Sequence, residues 1–271
     1  MPLSITSTFA FSTAAPTDCL LQFEVAEYAG QRIISAATEF SSLTGVSRLN
    51  AEDGIGERVW LRADGPVTAS HTAQVEITRP APVWDRLSAV PPHALPEDAV
   101  KYLFDSRYCP AGRFGGYVDE EFPDSAAPEQ GGIRIDAIRR WIAEHFTYTP
   151  GASGPETTGA DSFIDRAGVC RDYAHVLVML ARASAIPARY VSCYGPAVTP
   201  QDFHAVAEVY LADSSGAEGG CGAWHLVDAT GMATARDIAV IGVGRDAADV
   251  SFLTSFGPSD FQSSAVDVQR V

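Results

Sequence analysis

The sequence predicts an α+β protein: an N-terminal antiparallel β-domain followed by a core in which a central helix packs on an antiparallel sheet. Three observations predict it. Residues 3–80 hold short stretches with apolar–polar alternation, separated by turn clusters. Prolines then crowd positions 80–96. Beyond them, two stretches with helical apolar spacing precede three further strand-like segments.

In order, strands are expected at 4–11, 20–26, 59–63 and 72–78, with Asp53-Gly54-Ile55-Gly56 and Ala63-Asp64-Gly65-Pro66 as turns. Repeated short strands with this punctuation suggest a small β-sandwich-like unit. Proline removes a ladder donor and fixes φ, so the proline-rich stretch reads as a linker. The expected division is 1–90 for the β-domain and 91–271 for the second domain. Within the latter, apolar residues at 135, 138, 141, 142 and 146 mark a helix over 132–146. A short helix is expected at 161–166. A long apolar helix over 170–185 is stopped by Ile186-Pro187. Strands follow at 188–194, 204–211 and 223–229, the last two joined through the glycine-rich segment 213–220.

Composition narrows the function classes. The chain has 271 residues, 46% hydrophobic and 20% charged, which suits a globular protein and not a disordered one. Its net charge of −15 disfavours nucleic-acid backbone and anionic membrane as partners. No stretch has the length of a membrane span, and the first residues lack the basic and apolar regions of a secretory leader. The five cysteines (Cys19, Cys109, Cys170, Cys193, Cys221) are scattered and show no C-x-x-C pair. That pattern points away from a disulfide framework or structural zinc and toward a reducing, cytoplasmic setting. Gly-rich pieces at 115–116, 131–132 and 242–244 lack the Lys-Ser/Thr of a phosphate loop. No closely spaced carboxylates resemble a calcium loop, so no cofactor or metal is expected.

One segment carries the chemistry. In Gly168-Val169-Cys170-Arg171-Asp172-Tyr173-Ala174-His175, a loop passes into a helix at Cys170. The unpaired N–H groups of a helix N-terminus favour an anion there, and thiolate is the reactive form of cysteine. A nucleophilic cysteine needs a base, and the base needs an orienting group. His204 opens one strand and Asp228 closes the next. A hairpin centred on Gly216 would set them directly opposite each other. Other candidates read as structural. His175, five positions after Cys170, points away from it on the helix, and His225 faces away from Asp228. Arg171 and Asp172 are expected to pair with neighbouring groups, the alternative being that they line the cleft, and a Cys193–Cys221 disulfide is not expected.

Four motifs in this order, Gly168 to His175, Ala185-Ile186-Pro187-Ala188-Arg189-Tyr190-Val191, Asp202-Phe203-His204-Ala205 and Val227-Asp228-Ala229-Thr230, resemble the transglutaminase-like superfamily. The nearer resemblance is to a bacterial subgroup described as "putative cysteine proteases". Ser106-Arg107-Tyr108-Cys109-Pro110 and Gly244-Arg245-Asp246-Ala247-Ala248-Asp249-Val250 are part of it.

The resemblance implies a papain-like core in which Cys170 is the nucleophile, His204 the general base and acid, and Asp228 the orienting carboxylate. The implied reaction is acyl transfer through a thioester on a peptide or protein substrate. Hydrolysis of an amide bond is favoured; transamidation by the same triad, or a non-catalytic interaction module on the same fold, are the alternatives. An arylamine N-acetyltransferase reading fits poorly, because those enzymes begin with a helical bundle. The backbone N–H of Cys170 is one expected oxyanion donor. Self-association is left open.

Overall fold

The computed structural model describes residues 2–41, 44–213 and 222–271. Its α+β architecture has two main sheets with helices on one of them. The first sheet is built on two long strands, β1 (Pro2–Leu21) and β4 (Glu57–Ile77), paired antiparallel over most of their length. β2 (Gln31–Phe40) and β3 (Thr44–Asn50) flank successive halves of β4. In both long strands buried and exposed residues alternate, as a one-sided sheet requires. The register of the β1–β4 pair shifts between Thr13 and Thr17. Across this break, Phe9, Phe11, Val67 and Ala69 on one side join Cys19, Leu21, Val59 and Leu61 on the other in one apolar cluster.

The second sheet has the strand order β10–β9–β8–β11. Its members are β8 (Ala188–Tyr194), β9 (His204–Asp213), β10 (Ala223–Val227) and β11 (Ala239–Gly244), all antiparallel, and the short β5 (Leu87–Ala89) pairs with the far end of β9. Short helices α1 (Glu97–Val100) and α2 (Gly115–Glu121) follow β5. Next come α3 (Gly131–His145), α4 (Gly159–Asp165) and α5 (Cys170–Ala183). Between the helices, β6 (Thr147–Tyr148) and β7 (Ala167–Gly168) form a small parallel pair. The central helix α5 is buried nearly all round, with Val176, Leu177, Met179 and Leu180 at 0% exposure. Each such side chain contributes about 1.5–3 kcal/mol of burial. The helix packs on Ala207, Val209 and Leu211 of β9. Gly132 is a close-packing position: a Cβ there would lie 2.1 Å from the Trp84 carbonyl oxygen.

One expected turn is absent, and strand pairing crosses the expected boundary near residue 90. Sheet membership does not follow a division into 1–90 and 91–271. β12 (Leu253–Ser255) and β13 (Ser259–Arg270) return from the C-terminal end to pair with β1, and β5 pairs with β9. β13 escapes sequence reading because it is a polar edge strand in which only Val266 and Val268 are buried. Strands β1 to β4 of the first region belong, with β12 and β13, to one six-stranded antiparallel sheet. Finally, Asp64-Gly65-Pro66 is no hairpin turn; it lies inside β4, where Gly65 adopts φ 93°.

The two sheets meet through a buried apolar cluster, in which Leu3, Ile5, Val75 and Ile77 contact Tyr194, Ala239 and Ile241. They also share a polar network. Arg189 Nε donates to Glu208 Oε2 at 2.8 Å, and its Nη1 to Asp53 Oδ2 at 2.9 Å. The Tyr28 hydroxyl donates to Glu208, and Lys101 Nζ and the Tyr102 hydroxyl donate to Asp53. The Arg189 guanidinium lies 4.0 Å from the centroid of the Trp224 ring.

Candidate active site

Cys170 is the first residue of α5, half-buried, at the end of the β7 segment. Its position is fixed from below by Asp172, whose Oδ2 accepts from the Val169 N–H at 2.8 Å and from the Ser153 hydroxyl at 2.5 Å. This is a capping arrangement at the helix start. Gly168 is required by that cap: a Cβ would lie 2.5 Å from the Asp172 carboxylate. Arg171 Nε stands 3.6 Å from Asp172 Oδ1, and Arg171 also donates to the Gly154 carbonyl at 2.8 Å. Both residues therefore pair with neighbouring groups, and their bonds to Ser153 and Gly154 tie the loop at 149–158 to the helix start.

His204 and Asp228 come together, but not through the expected register. Val227 pairs with Ala207 and Ala223 with Leu211. The hairpin is thus shifted by two residues from one centred on Gly216, a position outside the described residues, as is Cys221. A shift of two keeps every side chain on its face, so His204 and Asp228 become diagonal neighbours instead of direct opposites. His204 Nε2 lies 3.0 Å from Asp228 Oδ2. A carboxylate only accepts, so Nε2 carries the proton and Nδ1, buried and without a hydrogen-bond partner, is the nitrogen left over. Asp228 sits just past β10, where its Oδ1 accepts from the Thr230 N–H (2.8 Å) and hydroxyl (2.7 Å), and its Oδ2 from the Ala233 N–H (2.8 Å). The carboxylate is held by the turn and by the imidazole at once.

The electrostatics follow from this packing. Burial works against a charged His204, but the hydrogen bond to Asp228, the interaction with Cys170 and the charge on both outweigh it, and its pKa is raised to about 10. Burial likewise works against the Asp228 carboxylate, yet the bonds from His204 and Thr230 keep its pKa below the usual value. Tyr148, carried to Cys170 by the β6–β7 pair, is pushed up to about 12 by burial and by the charge on Cys170. The other described cysteines differ from Cys170: Cys19, Cys109 and Cys193 are fully buried, and burial pushes each thiol up.

Cys170 and His204 line a cleft of about 850 Å³. Tyr148 and Pro150 border it on the core side, and Phe203, Phe252 and Phe261 also line it. It runs between the helical core and the C-terminal strands of the first sheet. Among the described residues, no group of three or more His, Cys, Asp and Glu side chains is placed to hold a metal ion.

His175 is fully buried away from the cleft surface and does structural work, as its helical phase suggested. Its Nε2 accepts from the Ala247 N–H at 3.2 Å, and Tyr108 stacks on the ring at 5.2 Å. Burial lowers its pKa to about 3. Sequence reading did not foresee what the 106–110 and 244–250 motifs do. They meet over α5, where Arg182 donates to the carbonyls of Phe104, Ala188 and Arg245 and to the Ser106 hydroxyl. Asp246 ties them further by accepting from the Tyr108 N–H at 2.8 Å. The charge of Arg182, in the last turn of a largely apolar helix, was the available signal.

With fold and geometry in place, comparison with known proteins gives a consistent result. Residues 123–229 match the family model of the Transglutaminase-like superfamily. Over 99% of its length the chain superposes on 90% of a protein from Cytophaga hutchinsonii, described as a "putative cysteine protease", with a TM-score of 0.87 and 28% sequence identity. It is also 26% identical over 192 residues to the uncharacterized protein ML0607 of Mycobacterium leprae; the match covers 68% of this chain and 65% of that relative's length. Residues 123–229 are therefore similar to the Transglutaminase-like superfamily, the likeness the motifs implied.

Proposed function

We propose that this protein is a thiol-dependent acyl-transfer enzyme that hydrolyses amide bonds in peptides or proteins. The observation that carries the reading is the His204 Nε2–Asp228 Oδ2 bond beside Cys170 at the start of α5, with His204 Nδ1 left unpartnered. Asp228 fixes the tautomer that frees Nδ1 as the base. His204 takes the proton of Cys170, whose sulfur attacks the substrate carbonyl, aided by the N-terminal end of the helix. The backbone N–H of Cys170 stabilises the oxyanion. The imidazolium then protonates the leaving amine and yields a thioester. His204 next removes a proton from water, the resulting hydroxide attacks the thioester, and the acid departs with the thiol restored.

The raised pKa of His204 supports an imidazolium that persists at neutral pH beside the sulfur. The description of the Cytophaga hutchinsonii protein supports hydrolysis over transamidation. The free thiols of Cys19, Cys109, Cys170 and Cys193 support a reducing compartment, the cytoplasm in this reading. No described helix is long and apolar enough to cross a membrane.

The test is incubation with a denatured protein mixture, scored by mass spectrometry for new peptide termini, in parallel with incorporation of a fluorescent primary amine. New termini that vanish in Cys170→Ala are expected. Amine incorporation without new termini would move the reading to transamidation. Equal activity of wild type and Cys170→Ala would refute it.

A further inference from the structure

The cleft extends well beyond the three side chains assigned to chemistry. Phe203, next to His204, stacks on Phe252 with centroids 5.0 Å apart and planes 4° from parallel, and Phe252 meets Phe261 edge-on at 5.5 Å. Phe261 is 44% exposed. These rings form an apolar wall facing the open space.

The strand beside that wall is β12. Residues 252–255 line the cleft in unbroken succession. Side chains of a strand alternate between its two faces, so a cavity bordered by four residues in a row meets the strand along its edge. Among the described residues, β1 is the one strand paired with β12. Gln22 N–H donates to the Phe252 carbonyl, and Phe256 N–H donates to the Asp18 carbonyl. In an antiparallel pair this alternation turns the main-chain groups of residues 252, 254 and 256 toward β1. Those of Leu253 and Ser255 consequently face outward.

We propose that the cleft takes an extended polypeptide, which adds to the outer edge of β12 as a further strand and sets an aromatic or large aliphatic side chain against Phe203, Phe252 and Phe261. Main-chain bonds to Leu253 and Ser255 hold the segment whatever its sequence, and the aromatic wall supplies the preference. A strand edge beside a reactive thiol selects unfolded segments and loops over helical or folded surfaces. The inference rests on the acyl-transfer reading of Cys170.

Two probe series test it. Chloromethyl ketones of Ala-X-Gly place the peptide on one side of Cys170, and chloroacetyl-Gly-X-Ala peptides place it on the other. In one series, probes with X as Phe or Leu should alkylate Cys170 about tenfold faster than those with Asp. N-methylation of the peptide backbone should slow the favoured probes at alternate positions. Phe261→Ala, an exposed position, should reduce the preference for Phe and Leu over Asp. If iodoacetamide labels Cys170 readily but neither series discriminates and N-methylation has no effect, the extended-strand inference is overturned and the acyl-transfer reading stands. If Cys170 resists iodoacetamide as well, both fall.

Discussion

Strand β9 carries a buried ionisable residue at two places on one face, His204 at its start and Glu208 four positions on, and the two are treated in opposite ways. Around Glu208 the polar network is closed. One carboxylate oxygen takes the Tyr28 hydroxyl and the other takes Arg189, whose remaining donors reach Asp53 and Tyr28. Around His204 it is open: Nε2 is committed to Asp228, Nδ1 has no partner, and the residue fronts a cleft. A satisfied buried network locks two sheets in one arrangement. A buried group with one valence unspent beside a cleft is where reaction capacity resides. The same β8–β9 pair thus supplies a clamp and a candidate reaction centre, and substitutions should separate them.

The largest expected effect is at the open end. Cys170→Ala should lower kcat/KM for peptide hydrolysis by a factor on the order of 10⁶, as loss of a nucleophile does elsewhere, with circular dichroism and Tm unchanged. Unfolding of that variant would mean that Cys170 serves the core. Asp228→Asn should cost roughly 10⁴ in kcat/KM, by analogy with removal of the orienting carboxylate in a serine protease triad. It should also lower the His204 pKa, which imidazole NMR would read. A His204 titration unmoved by Asp228→Asn would contradict the pairing.

At the closed end the effect should fall on stability instead. Glu208→Ala leaves Arg189 buried without its main partner and should cost about 3–5 kcal/mol in urea unfolding. A loss below about 1 kcal/mol would show that the network is not the clamp described. Whatever fraction remains folded should alkylate at Cys170 at the wild-type rate.

A further effect concerns pH. His204, with its pKa raised to about 10, contributes stability that is fully present below about pH 6.5 and is lost as pH rises through about 10. His175, lowered to about 3, acts with the opposite sign: its contribution is present above about pH 6.5 and is lost as pH falls toward 3, by at most about 1.4 kcal/mol per pH unit. His175→Gln, which keeps an acceptor for the Ala247 N–H, should therefore flatten the acid limb of a Tm–pH profile. His204→Gln should flatten the alkaline limb.

The candidate site was more legible in the sequence than the frame around it. Cys170, His204 and Asp228 sit within short motifs whose residue types have few other joint explanations, and a shift of two in the hairpin left their shared face intact. The helices expected to start at 132 and 170 begin at 131 and 170, because apolar spacing reflects burial on one core. The C-terminal return did not follow, because β13 is solvated over most of its length and pairs by main-chain bonds that leave no side-chain pattern. For the same reason the cleft wall was invisible: Phe252 and Phe261 reach Phe203 only after β12 and β13 fold back onto β1. Likewise the network around Glu208 draws on residues 28, 53 and 189, which come from separate parts of the chain.

The most direct measurement is iodoacetamide labelling of the folded protein across neutral pH, read for each cysteine by mass spectrometry, in wild type and His204→Ala. The account predicts that Cys170 reacts faster than Cys19, Cys109 and Cys193, and that His204→Ala slows Cys170 alone. Labelling of Cys170 no faster than the buried thiols, or at a rate indifferent to His204, would contradict it.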